Sequence, residues 1–343
     1  MLYYYALLYY NINLKQIKTM KKIYLISTLI GLLAFSTLAK ADLKVVTSIK
    51  PIHSLAGYIM DGVGSPGLIV DGYNSPHSFQ LKPSHAKMLE QADIIFWIGE
   101  DLENFLEKPL ATIAKKAEKI ELLEINDIKK LKFRERNIFE EHDDHGQDAK
   151  KEEHDDDDDH GHDAKKEEHD DHDDHGHGEY DPHIWLDPIN AKVILSEITE
   201  HLIENDSKNA PTYKSNLAKA LAKIDKLIID VITETNTDLS YVVFHDAYQY
   251  YENRFNVNIL GAMTINPDVM PGAEQIHEIH EVIEHDNVSC ILSEPQFNPD
   301  IIKSIAKDTN VKTGVLDPLG ANLKPGKDLY FDLIRNMSAS FNC

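Results

Sequence analysis

Residues 207–236 read SKNAPTYKSNLAKALAKIDKLIIDVITETN, and the division of the chain turns on this stretch. Tyr213, Leu217, Leu221, Ile224, Ile228 and Val231 recur at three- and four-residue intervals, which puts them on one stripe of an α-helix. After Pro211 in the first turn there is no Gly or Pro to kink or end it. The spacing predicts a stiff rod over 207–236. On both sides of that rod, short apolar runs alternate with helical segments.

Upstream, LKVVTSI (43–49) is apolar and β-branched, and Pro51 opens a helix through Met60. GLIVDG (67–72) reads as a second strand, followed by a loop and a helix from Pro83 to near Asp93. IIFWIG (94–99), a helix near 102–116 and KIELLE (119–124) continue the pattern. Asp187-Pro188 starts another helix that runs to about Asn205. Downstream come YVVF (241–244), a helix capped by Asp246, VNILGAM (257–263), a helix from Ala273 to His285, VSCILSE (288–294), a helix near 299–309, VKTGVL (311–316) and a last helix near 327–341. Continuous apolar strands alternating with helices indicate parallel sheets covered on both faces. The expected fold is α/β, with two (β/α) lobes, each a mostly parallel sheet flanked by helices, joined by one long rigid helix. The expected boundaries are 42–206, 207–236 and 237–343.

The first lobe carries an insert with almost nothing apolar in it. Residues 142–177 read HDDHGQDAKKEEHDDDDDHGHDAKKEEHDDHDDHGH, an internal repeat. A block this polar cannot offset its ordering entropy by burial, so a disordered loop is expected over 140–181. Its histidines, His142, His145, His154, His160, His162, His169, His172, His175 and His177, with the surrounding carboxylates, offer N and O donors to a divalent metal. Without the histidines, the acidic runs would read as a solvated spacer. From Glu140 to Asp181 there are 21 acidic residues and 4 lysines, a net of -17 out of the chain's -23. The imbalance belongs to the loop, and a charge of that sign excludes nucleic acid and anionic membrane surfaces as partners.

At the N-terminus, MKKIYLISTLIGLLAFSTLAKA from Met20 has two lysines, a short apolar run and the A-x-A pattern Ala39-Lys40-Ala41. It reads as a cleaved signal peptide, so residues 1–41 leave the mature chain and an exported, soluble product begins at Asp42. Residues 1–19 do not fit a signal n-region and read as an upstream extension of the true start or as an anchor. Two cysteines occur, Cys290 and Cys343. In an oxidising compartment such a pair reads as a disulfide tying the last helix to the sheet; two inert buried thiols are the alternative.

Outside the insert three histidines share one type of position. His77 lies in the loop after GLIV, His183 lies beside Trp185, and His245 directly follows YVVF. Ligands in open α/β sheets sit outside the carboxyl ends of strands, so imidazoles placed there on two facing sheets can converge. Asp317 follows VKTGVL in the same way and is a candidate fourth ligand, or else a turn former before Pro318. Asp246 is expected to orient His245. His277, His280 and His285 share the polar face of their helix with glutamates and read as solvated. His53 and His85 read as structural.

NSPHSFQLKPS (74–84), HIWLDP (183–188), VFHDAYQYYE (243–252), LGAMTINPDVMPGA (260–273), SEPQF (293–297) and LDPLGAN (316–322), in this order, resemble the ZnuA-type zinc-binding proteins, periplasmic components of ABC zinc importers. The likeness spans the mature chain. It implies two similar lobes with Zn2+ held between them by His77, His183 and His245, and it matches Cys290 and Cys343 to the family's disulfide. It also implies a membrane permease of an ABC importer as partner, a periplasmic location and a monomer. Two positions depart from the pattern. Pro76 stands where some members carry a metal-approaching glutamate, which leaves water or Asp317 as fourth ligand. Ala262 stands where others carry a histidine of a secondary site.

The expected function is high-affinity zinc capture and delivery, without catalysis. Three imidazoles and one oxygen suit Zn2+ better than oxygen-preferring Mn2+, while Ni2+ also binds such nitrogens. Affinity should fall as pH drops through the histidine range. A zinc-dependent hydrolase, a manganese or nickel transport protein of the same fold and a metal buffer acting through the tract alone are the alternatives.

Overall fold

Two parallel sheets of identical strand order form the frame. The computed structural model describes residues 43–134, 136–139, 178–265, 267 and 269–343. β1 (Val45–Thr47), β2 (Gly67–Leu68), β3 (Ile94–Trp97) and β4 (Glu118–Glu121) are ordered β2-β1-β3-β4. β5 (Ser240–His245), β6 (Asn258–Thr264), β7 (Cys290–Ser293) and β8 (Lys312–Val315) are ordered β6-β5-β7-β8. Every pairing within these sheets is parallel. Nine helices among the described residues cover the faces: α1 (Lys50–Ile59), α2 (Pro83–Glu90), α3 (Glu100–Thr112), α4 (Pro188–Asn205), α5 (Ala210–Glu234), α6 (Gln249–Phe255), α7 (Ala273–His285), α8 (Asp300–Thr309) and α9 (Leu329–Ser340). β5 displays the period-2 logic of a strand buried on both faces. Tyr241 and Val243 enter the main core, whereas Val242 and Phe244 pack with Leu260, Met263, Ile279 and Ile302 in a second cluster.

The predicted rod is α5, a 25-residue helix about 37 Å long. Its stripe is rotated from the one expected. The buried positions are Tyr213, Asn216, Ala220, Ile224, Leu227 and Val231, while Leu217, Leu221 and Ile228 are only partly covered. The reason is Asn216, whose Nδ2 donates to the carbonyls of Ile59 and Asp61, both at 2.9 Å, and so satisfies the end of α1. A polar residue sits in the buried stripe because it closes a neighbouring helix.

Leu43 to Cys343 pack as one compact unit, and lobe membership departs from chain order in two places. Asn137–Phe139, just before the acidic insert, pairs with the edge of β6: Phe139 N donates to Leu260 O and Ala262 N to Asn137 O, each at 2.8 Å. This approach needs Gly261, because a Cβ there would lie 2.8 Å from Asn137 O. At the other end, α9 packs against α1 and α5, although its residues follow the second sheet in sequence. Cys343 then forms a disulfide with Cys290 on β7, so the tail ties the second sheet to helices of the first lobe.

Two expectations need correction. GLIVDG contributes only Gly67–Leu68 as strand, although Ile69 N and Val70 N still donate to Thr47 O and Ser48 O. Asp246 does not cap a helix, since α6 begins at Gln249 and Asp246 is instead paired with Arg134. Asp187 does cap α4, accepting from Ile189 N at 2.8 Å. It also takes a two-pronged ion pair from Arg254 of α6, at 2.7 and 2.8 Å. The signal segment, residues 1–19 and the insert histidines His142 to His177 lie outside the described residues.

Candidate metal centre

The second sheet supplies one corner of the site directly. His245 is the last residue of β5, and Glu294 follows β7 immediately, so both stand at the carboxyl ends of adjacent central strands. His77 comes from the loop after β2, and its backbone N–H donates to Ser75 Oγ at 3.2 Å. His183 precedes a 3-10 turn, Ile184–Leu186. That turn is held by the indole of Trp185 donating to Pro318 O at 2.8 Å and by Tyr330 OH donating to Trp185 O at 2.9 Å.

These three histidines converge. One ring nitrogen from each lies within 4.8 Å of the others. The ring centroids are 5.6 Å apart for His77–His183, 5.3 Å for His77–His245 and 5.0 Å for His183–His245. His183 is 3% exposed and His245 2% exposed, whereas His77 is half-buried. Two rings have a carboxylate behind them: His183 Nδ1 lies 2.7 Å from Asp181 Oδ1, and His245 Nδ1 lies 2.9 Å from Glu294 Oε1. A carboxylate accepts the Nδ1 proton, so each Nε2 lone pair is left to face the cavity. His245 Nε2 is buried there without a protein partner. Such an orphaned buried nitrogen is costly unless something electrophilic meets it.

The electrostatics differ between the two buried imidazoles. Burial, reinforced by His245, holds His183 well below the ordinary histidine pKa of 6.5. Burial also pushes His245 down, but the Glu294, Asp246 and Asp181 carboxylates outweigh it and leave the pKa raised. Asp181 itself is pushed up to about 7 by burial. The cavity, about 240 Å³ with the open space at its mouth, is lined by the three histidines together with Ser75, Trp185, Glu294 and Gln296.

Asp317 stands outside this group. Oδ1 accepts from Leu319 N at 3.0 Å, Gly320 N at 2.9 Å and Gln296 Nε2 at 3.2 Å, and Oδ2 accepts from Ala321 N at 2.6 Å. With its oxygens drawn into a nest of backbone N–H groups, its visible role is to shape the 317–321 turn. The orienting role expected of Asp246 belongs to Glu294. Asp246 instead accepts from Arg134 at 2.8 Å, and Arg134 also grips Glu252 at 2.7 and 3.0 Å. The rule that pointed to His245, a polar residue just past a parallel strand, points equally to Glu294 and Gln296. Asp181, two residues before His183, carried no such positional signal.

The other histidines are elsewhere. His277 and His285 are exposed and His280 is half-buried on α7, while His53 and His85 belong to α1 and α2. A second cluster, Glu118, His201 and Glu204, brings ligand-type atoms within 4.8 Å, but the ring nitrogens of His201 are already engaged by Glu118 Oε1 at 2.8 Å and Glu197 Oε1 at 3.1 Å. It is an imidazole held between two carboxylates beside β4, the edge strand of the first sheet.

The chain as a whole resembles known proteins in sequence and in fold. Residues 45–342 match the family described as zinc-uptake complex component A, periplasmic (ZnuA). The high-affinity zinc uptake system protein ZnuA of Brucella abortus (strain 2308) is 44% identical over 327 residues, spanning 94% of this chain and 98% of its own length. The protein of the same description from Yersinia pestis is 35% identical over 312 residues, 88% of this chain and 91% of its own. A solved ZnuA deletion mutant with zinc bound shares the fold, with a TM-score of 0.65 at 20% identity over 87% of this chain and 96% of that one. The chain belongs to the ZnuA family of periplasmic zinc-uptake components.

Proposed function

We propose that this protein captures Zn2+ in the periplasm through His77, His183 and His245 and passes it to the membrane permease of an ABC importer. The observation carrying this reading is the convergence of three imidazoles within 4.8 Å, two of them held by buried carboxylates. Three neutral nitrogens and an open oxygen position match the donor set of Zn2+, and the flanking carboxylates strengthen the imidazoles as donors. The ion is cargo. Binding without turnover is supported by the cavity's lining. Glu294, the carboxylate in that lining, is engaged by His245 and so is poorly placed as a general base.

Protons compete with zinc for the same nitrogens. With its pKa raised while that of His183 is lowered, His245 takes up a proton before His183 does, so zinc affinity falls as pH drops through the titration of His245. The lobes are also bound to each other. Lys50, 3% exposed on α1, donates to the carbonyls of Gly320, Ala321 and Leu323 at 3.0, 2.9 and 2.9 Å. A continuous core that includes α5 and α9 opposes wide opening, which favours release through the loops carrying His77 and His183. The protein acts as a monomer with the permease as its membrane partner. The test is zinc titration, by competition with a chelator, of untagged protein and of His77→Ala, His183→Ala and His245→Ala. Tight binding that survives all three substitutions excludes this assignment.

A further inference from the structure

Beyond His245 Nε2 and Asp181 Oδ2, the metal centre holds a further buried polar atom without a hydrogen-bond partner. Gln296 lines the same cavity as the three histidines, and its Oε1 is buried without a protein partner. The amide's orientation is set from behind, because Nε2 donates to Asp317 Oδ1 at 3.2 Å. The flipped amide would set its oxygen against a carboxylate that already accepts from Leu319 N and Gly320 N, two acceptors facing each other with no proton between them. Asp317 therefore fixes which end of Gln296 is left over, and that end is an acceptor.

A neutral amide oxygen buried in a cavity lined by three imidazoles is most useful to a hydrogen-bond donor. Zn2+ on three nitrogens keeps its fourth position for water, and a metal-bound water is a strong donor. Resting on the zinc-capture reading, we propose that Gln296 is a positioning residue for metal selectivity, its Oε1 accepting a hydrogen bond from the water in the fourth coordination position. Asp317 thus serves the fourth position from one residue further out. This donor set carries no anionic oxygen on the metal, which disfavours Mn2+ relative to Zn2+.

The experiment uses the full mature chain with Gln296→Leu, close in shape but without an acceptor, and Gln296→Glu, which presents a carboxylate. His245→Ala is the comparator. Zn2+ and Mn2+ affinities are measured by chelator competition. Co2+ is substituted to read coordination geometry from its visible bands, and thermal midpoints of the metal-free proteins report folding. The expected results are a Zn2+ affinity about tenfold weaker for Gln296→Leu, displaced cobalt bands that differ between the two variants, and a Mn2+-to-Zn2+ affinity ratio that rises about tenfold in Gln296→Glu. The thermal midpoint of metal-free Gln296→Leu stays within about 2 °C of the parent, whereas Gln296→Glu sets a second carboxylate against Asp317 Oδ1 and folds with a midpoint lower by several degrees. Parental cobalt bands and zinc affinities within about twofold in both variants, alongside lost binding in His245→Ala, overturn the role of Gln296 and leave the zinc site standing. Tight binding retained by His245→Ala overturns the zinc-capture reading itself.

Discussion

The two sheets have the same strand order and the same parallel sense, yet the crevices at their carboxyl ends are used in opposite ways. Between β5 and β7 stand His245 and Glu294, and the imidazole's free nitrogen faces the cavity. At the corresponding ends of β1 and β3 the crevice is closed by the chain itself. Glu103 is fully buried in the first turn of α3, at a residue with non-helical backbone, and its Oε2 accepts from Ile98 N at 2.7 Å. The first lobe then delivers its metal-facing residues from outside its strands, on the loop bearing His77 and the turn bearing His183. The topology offers two equivalent positions, and side-chain chemistry decides which becomes a site. A buried carboxyl facing its own backbone is structural, whereas an imidazole with a carboxylate behind it and a cavity in front is ready to bind.

Removing the nitrogen on the open side is the harshest way to break this contrast. His245→Ala should weaken zinc by more than about 100-fold, beyond the range of outer-shell losses, as measured by chelator competition. A smaller loss follows from removing the carboxylates behind the rings. Glu294→Gln and Asp181→Asn keep shape but lose the charge that fixes each tautomer, and each should weaken zinc by about 10- to 100-fold. If either binds as tightly as the parent, the carboxylate is not positioning its ring.

The bridge between the lobes comes next. Lys50→Met leaves the carbonyls of Gly320, Ala321 and Leu323 without their donor. Stability should fall by about 2 to 3 kcal/mol, seen as a thermal midpoint lower by several degrees, with zinc affinity changed only a few-fold. An unchanged midpoint means these carbonyls find other partners.

Least affected in zinc binding is the closed crevice. Glu103→Gln should leave affinity within about twofold, because the side chain is structural. Its effect is on pH. Burial, opposed by the Ile98 and Gly99 N–H groups, raises Glu103 from 4.5 to about 7. A carboxyl whose folded pKa lies above its unfolded value holds its proton more tightly in the folded protein. Its contribution to stability is therefore greatest below pH 4.5 and declines as pH rises to about 7, on the order of 3 kcal/mol across the window. Asp181 and Glu252, also at about 7, and Asp246, at about 6, slope the same way. The difference between parent and Glu103→Gln in thermal midpoint at pH 5 and pH 8 isolates Glu103. Parallel curves exclude the role.

Much of this contrast is legible in the chain, because parallel strands buried on both faces announce themselves as continuous apolar runs. YVVF and IIFW appear where β5 and β3 stand, and the residue just after YVVF is the histidine that reaches the cavity. What remained hidden were contacts that carry no periodicity. Asn216 looks like a polar interruption of the helical stripe and becomes buried because it closes α1. Asp317 sits at a strand end like His245, but the turn after it folds back and its carboxylate is consumed by backbone N–H groups. Asp246, next to His245 in sequence, is directed to Arg134, while Glu294, 49 residues away, is the one that meets the ring.

By itself, the sequence determined the alternation of strands and helices and the long helix that fills most of 207–236, and it singled out three histidines at loop and strand ends. Those follow from local chemistry: hydrophobic period, capping residues and side-chain type are written one position at a time. Only the tertiary structure decided that the three imidazoles face one another, that Asp181 and Glu294 stand behind two of them, and that Asp317 turns away. Each of these depends on backbone groups from distant segments competing for the same polar atoms, and that competition is settled only when the lobes pack.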